Sequence, residues 1–125
     1  MPYEFYKVLH IVGILLLFTA LAMAILLFWL APEKSKGLPK TLVFTSHGLG
    51  AFLVFLSGFG LAARLGYASQ LPPWVYVKVG IWLVVALSLS LIKRKAHMAL
   101  LIYPLLILLG GGAAWLALTK PNIGL

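Results

Sequence analysis

Residues 6–30 read "YKVLHIVGILLLFTALAMAILLFWL". Apart from Lys7 and His10, none of these 25 side chains carries a charge near neutral pH. A helix needs about 20 apolar residues to cross the hydrocarbon core of a bilayer, so this run is long enough to span one. It is too long for the apolar core of a secretory signal, which covers roughly 7–15 residues, and no small-residue cleavage pattern clearly ends it. The run is therefore expected to stay in the mature chain as a first membrane helix.

Three more apolar runs follow, at about 41–63, 74–92 and 97–118. The composition agrees: 63% of the 125 residues are hydrophobic and 10% charged, whereas a soluble domain is about half apolar and a quarter charged. That excess of apolar surface calls for lipid around it. The expected class is an all-α integral membrane protein, a four-helix bundle with antiparallel up-down topology, forming a single transmembrane domain over residues 1–125. The linkers fit this reading. "APEKSKGLPK" carries Pro32, Gly37 and Pro39, expected to stop the helical pattern. "RLGYASQLPP" joins the second and third runs. "KRKA" is so short that the third and fourth helices are expected to be antiparallel neighbours.

Ten Lys and Arg face two acids, Glu4 and Glu33, for a net charge of +8. These basic residues lie mainly in short loops between apolar runs, where they act as topology signals and headgroup contacts, so no nucleic acid partner is expected. Lys34, Lys36, Lys40, Lys93, Arg94 and Lys95 fall on one side; Lys7, Arg64 and Lys120 fall on the other. Basic loops stay in the cytoplasm, so both termini are expected outside it, in an inner (cytoplasmic) membrane. Tyr3, Phe5, Tyr6, Tyr67, Trp74, Tyr76 and Trp115 gather on that outer side as an interfacial aromatic belt would. The chain has no cysteine, which excludes disulfides, thiolate metal sites and thiol catalysis.

The residues that do not belong in lipid are His10, His47 and Lys78, with His97 at an edge. Ionisable groups inside a span are costly and tend to mark function. Stepping from His10 by helical turns meets Gly13, Leu17, Ala20 and Ala24, and from His47 it meets Ala51, Val54, Gly58 and Ala62. Small stripes let membrane helices approach closely, so both histidines are expected to face the bundle or a second copy, and a homodimer is one way to enclose more volume. From His97 the stripe is Leu101, Pro104, Leu108 and Gly111, with Pro104 expected to kink the helix. Trp74 and Trp82 lie one turn to either side of Lys78, whose stem can run along their rings.

Neutral imidazoles in an apolar bundle suit haem iron, which takes axial His nitrogens and an apolar slot between helices. Haem b carboxylates would pair with Lys78 or Arg64. Zinc fits less well, because carboxylate and thiolate ligands are missing. Copper is an alternative, with Met23 and Met98 as thioether donors. Depth limits the pairings: His47 and His97 are expected in the inner half, and His10 in the outer half with Lys78 and Arg64. His47 with His97 is then the simplest pair on one iron, but the pairing of the three histidines stays open. Each can also serve only as a hydrogen-bonding group between helices.

"FYKVLHIVGILL" resembles the first-helix motif, Lys-x-x-His followed by apolar residues, of small four-helix membrane proteins: the HemJ-like protoporphyrinogen oxidases, the SirB-like proteins and the CopD-like copper-resistance domain. "SHGLGAFLVFLSGFGLAARL" is similar to the second helix of SirB-like proteins, and "PPWVYVKVGIWLVVALSL" to the third helix of the same group. The resemblance implies haem b with His10 as the first expected iron ligand and Lys78 as the third-helix lysine. It leaves three functions open: a b-type cytochrome in electron transfer or redox sensing with an unnamed redox partner, a haem-dependent protoporphyrinogen oxidase, or a non-haem copper binder or transporter. The uncharged "ALAMAILLFWL" departs from the oxidases, whose first helix ends with an arginine.

Overall fold

Proline and glycine punctuate this chain in ways that fix where its helices begin and end. In the computed structural model, which describes residues 3–66 and 69–119, α1 spans Tyr3–Ile25 and runs on through a π-helical turn at Leu26–Leu30. A short 3-10 turn at Pro32–Lys34 follows. Helix α2 spans Leu38–Arg64, α3 Pro73–Arg94 and α4 Ala99–Thr119, the last preceded by a 3-10 turn at Ala96–Met98. No strand occurs among the described residues. Tyr67, Lys120 and the side chain of Tyr3 lie outside what is described.

Pro39 does not stop a helix, as its sequence context suggested; it sits in the first turn of α2. The first amides of a helix have no intrahelical acceptor, so proline loses nothing there. Gly37, at φ +62°, supplies the left-handed residue just before it, and Gly66, at φ +92°, turns the chain after α2. Its amide bonds back to the Ala63 carbonyl at 3.1 Å. Pro73 likewise opens α3, and Lys93 and Arg94 lie in its last turn, where cations suit the negative helix end. Pro104 lies inside α4, which continues through it as one helix.

All four helices are long and apolar enough to cross a membrane. Large apolar side chains stay exposed on each of them, such as Val8, Leu42, Leu87 and Leu118. Exposure on this scale suits a lipid solvent and not water.

The contacts divide the helices into two pairs. Helices α1 and α2 pack most extensively, α3 and α4 next, and the pairs meet each other more loosely. Glycine sets the first pairing. A Cβ on Gly50 would stand 2.6 Å from the Leu17 amide nitrogen and 2.9 Å from the Gly13 carbonyl oxygen; a Cβ on Gly13 would stand 2.9 Å from the Val54 nitrogen. Backbone therefore touches backbone, as small residues allow in membrane helices. The Tyr6 ring lies directly on Gly60. From Tyr6–Gly60 through His10–Ser57 to Leu17–Gly50, each step forward along α1 is an equal step back along α2.

The stripe below His10 is the buried face of α1: Leu17, Ala20 and Ala24 are no more than 2% exposed. A single core joins Leu17, Leu21 and Ala24 to Val43 and Ala51 of α2, Val85, Leu89 and Ile92 of α3, and Ala99, Ile102 and Leu106 of α4. The stripe below His97 is different. Leu101, Pro104, Leu108 and Gly111 are exposed, and α4 instead buries Ala99, Ile102, Leu106 and Leu116. The pairs are tied across α2 and α3 by Trp82, whose Nε1–H donates to the Ala51 carbonyl at 3.0 Å.

Candidate functional site: a histidine and a lysine between two clefts

His10 is fixed by α2. Its Nδ1 lies 3.0 Å from Ser57 Oγ. The Ser57 hydroxyl also lies 2.5 Å from the Leu53 carbonyl one turn back, and Ser57 is 1% exposed. A hydroxyl has one proton to give, and the short contact to Leu53 takes it. Ser57 Oγ is then an acceptor, so Nδ1 of His10 is the protonated nitrogen and donates to it. The tautomer that follows has a free lone pair on Nε2. Gly58 faces the Cε1 side of the ring, where an added Cβ would stand 3.5 Å away. The Nδ1–Cε1 edge thus rests on α2, and Nε2 lies on the side turned from Ser57.

Two cavities meet at this ring. The larger, of about 600 Å³, lies among α1, α3 and α4; its walls include Lys7, His10, Ile14, Lys78, Gly111 and Ala114. The smaller, of about 130 Å³, lies between α2 and α3, with Phe55, Phe59, Trp74 and Trp82 around Lys78 and His10. His10, Val54, Lys78, Trp82 and Ala117 line both. Lys78 is close enough to His10 for their charges to interact. The spacing of Trp74, Lys78 and Trp82 along α3 thus places all three on one cavity wall. Trp74, read from sequence as an interfacial aromatic, lies in the first turn of α3 and is buried in a small cluster with Val75 and Leu116. Phe55 lies between Phe59 and Trp82, edge-on to the first and tilted to the second, with both centroid separations 4.8 Å.

The other sequence candidates lie elsewhere. His47 is 8% exposed, beside the Val85 backbone of α3, and its Nε2 has no hydrogen-bond partner among the described residues. His10 stands opposite Ser57, ten residues further along α2 than His47, a separation of about 15 Å along the helix at 1.5 Å per residue. One iron cannot be held by both. His97 is exposed in the turn before α4, and His47 and His97 line neither cavity. Arg64 is exposed in the last turn of α2, near the cavity-lining Leu61, Ala62 and Leu65, but not on the wall itself. Met23 is exposed on α1 and Met98 packs against the main core. Among the described residues no group of three or more His, Asp or Glu side chains converges as a metal cluster. Ser57 was not among the sequence candidates; the signal for its role was its place opposite His10 in the α1–α2 register. Lys7 was read from sequence only as a topology signal.

Helix lengths and apolar surfaces fit a multi-pass membrane protein. No family model matches the chain, and no solved structure matches it. It is similar to the glycerol-3-phosphate acyltransferases of Bordetella pertussis and Bordetella bronchiseptica, at 36% identity over 95 residues in each. The match takes in 70% of this chain and 44% of each relative, so the chain spans less than half the length of the curated relatives it matches.

Proposed function

We propose that this chain is a membrane b-type cytochrome-like protein that holds haem in the larger cavity through His10, for electron transfer or redox sensing. The observation that carries the reading is His10, held by Ser57 at its Nδ1, on the wall of an apolar cavity that Lys7 and Lys78 also line. Its size falls within the ~300–1,000 Å³ of small-molecule pockets. The donor set fits the group. His10 supplies an imidazole nitrogen, Ser57 holds the ring and its tautomer as second-shell acceptors do for metal-bound histidines, and Lys7 and Lys78 suit carboxylates. Bound there, haem would supply one-electron chemistry. The protein's part is to exclude water with apolar walls and to fix the iron-facing nitrogen. Because His47 stands about 15 Å away along the helix axis, His10 is the histidine of this chain that would hold the iron at this cavity.

The same reading includes the finer topology: an up-down antiparallel four-helix bundle, both termini outside the cytoplasm, in the inner membrane. The resemblance to SirB-like, HemJ-like and CopD-like proteins supports it, as does the excess of Lys and Arg in the first and third linkers. Purified protein from haem-replete cells is expected to show a Soret band that is lost in folded His10→Ala. No Soret band would end the haem reading, and a band that survives His10→Ala would end the role of His10.

The partial likeness to acyltransferases favours a second reading, acyl transfer in the same cavity. Lys7 and Lys78 would face a phosphate and the cavity would take the acyl chain of an activated donor, a thioester or acyl phosphate; His10 would accept the proton of the attacking hydroxyl as the new ester bond forms and the donor's thiolate or phosphate leaves. Acylation of glycerol 3-phosphate by purified protein, lost in His10→Ala, would establish it; no product with a folded protein would remove it.

A further inference from the structure

The smaller cavity is not needed by either reading, yet it shares His10, Lys78 and Trp82 with the larger one. Three features define what fits it. Its volume, about 130 Å³, is close to that of an engineered apolar cavity of ~150 Å³ that holds one benzene ring. Its walls are aromatic, and the rings are held in place. Trp82 is anchored to the Ala51 carbonyl at 3.0 Å and packed on Phe55 at 4.8 Å, which in turn packs on Phe59. Such walls favour a flat ring in offset or edge contact. Its position is lateral. Helices α2 and α3 meet only loosely, and Phe55, Phe59 and Leu65 on its rim remain substantially exposed on the face that contacts lipid. A ligand can enter from the bilayer and leave an apolar tail in it.

The polar groups complete the description. Lys78 offers N–H donors, and no acid lines the cavity. A cationic ligand would find no carboxylate among the described residues there and would share the cavity with a lysine, whereas a ring carbonyl oxygen has a donor. A water-soluble ring has no reason to approach through the lipid face. We propose that the cavity between α2 and α3 is a second ligand site, which takes the ring of a lipid-soluble quinone with a carbonyl oxygen toward Lys78. This inference rests on His10 and Lys78 as the shared wall of the two cavities, and it holds whether or not haem occupies the larger one. It places a membrane-dissolved ring and the His10 ligand on opposite sides of one wall.

The test is photolabelling of the purified protein in lipid nanodiscs with an azido-benzoquinone carrying a short alkyl tail, followed by peptide mapping. Label is expected on α2 within residues 55–65 and on α3 within 74–82. An excess of untagged decylubiquinone is expected to compete it away. Val79→Phe, which fills the cavity from the α3 side, is expected to reduce labelling there to background while leaving any Soret band in place. If Val79→Phe fails to fold, Leu61→Phe fills it from α2 and gives the same readout. Label spread over lipid-facing residues such as Leu100 and Leu108 and not competed would overturn the site. So would full labelling in a folded cavity-filled variant. A missing Soret band with competed, localised label would instead sink only the haem reading.

Discussion

The α1–α2 crossing carries the geometry of the His10 site, and a pair of glycine substitutions tests it. Gly50→Ala places a methyl group 2.6 Å from the Leu17 nitrogen and 2.9 Å from the Gly13 oxygen, both backbone atoms that no rotamer change can move. Ordinary contact begins at 3.4 Å, so the shortfall is about 0.8 Å. The helices must part by about that much, at an overpacking cost of typically 1–3 kcal/mol. The same displacement stretches the 3.0 Å His10–Ser57 bond beyond hydrogen-bonding range, for a further loss of about 0.5–1.5 kcal/mol. Gly48, on the same helix two residues away, meets nothing within 4 Å. Gly48→Ala therefore keeps the contact and gains helix propensity, up to about 1 kcal/mol. Reversible unfolding in mixed micelles reads both variants against wild type. Equal stability for Gly50→Ala and wild type, or equal loss in both variants, would refute the close crossing.

Three other predictions follow from the same coordinates. Ser57→Ala removes the acceptor for Nδ1–H and is expected to weaken haem retention by roughly 10–100-fold, the usual effect of losing a second-shell partner; an unchanged off-rate to apomyoglobin would show that Ser57 does not orient His10. Trp82→Phe keeps an aromatic ring but loses the bond to Ala51, and is expected to cost about 0.5–1.5 kcal/mol in the same unfolding assay, with no loss contradicting the tie between α2 and α3. The natural chain has no cysteine, so Ser35→Cys and Ser69→Cys report topology cleanly. In intact cells an impermeant thiol reagent is expected to label Ser69→Cys and spare Ser35→Cys, and the reverse pattern would invert the orientation.

Much of the helical architecture was legible because lipid imposes strict lengths on apolar runs. The buried face of α1 was legible too, since Gly13, Ala20 and Ala24 recur at helical spacing below His10. In α4 the stepping from His97 carried no such information. That helix is apolar almost all round, so periodicity carries no information about which side meets the core; Leu101 and Leu108 face outward while Ile102 and Leu106 face inward. Pro39 was misread because a proline between polar residues looks the same whether it ends a linker or opens a helix. Depth reasoning kept His10 and His47 apart, and the α1–α2 register agrees. The contact of His10 with Ser57 was out of reach, because it spans 47 residues and depends on the register set at Gly13 and Gly50. The packing of Trp74 on Leu116 was out of reach as well, because it joins two helices far apart in the chain.

The central claim is that Nε2 of His10 holds the iron of a bound haem, and absorption spectra of His10→Ala and His47→Ala beside wild type test it most directly. A Soret band is expected in wild type and in His47→Ala, with its loss in folded His10→Ala. A band that survives His10→Ala and disappears with His47→Ala would contradict it.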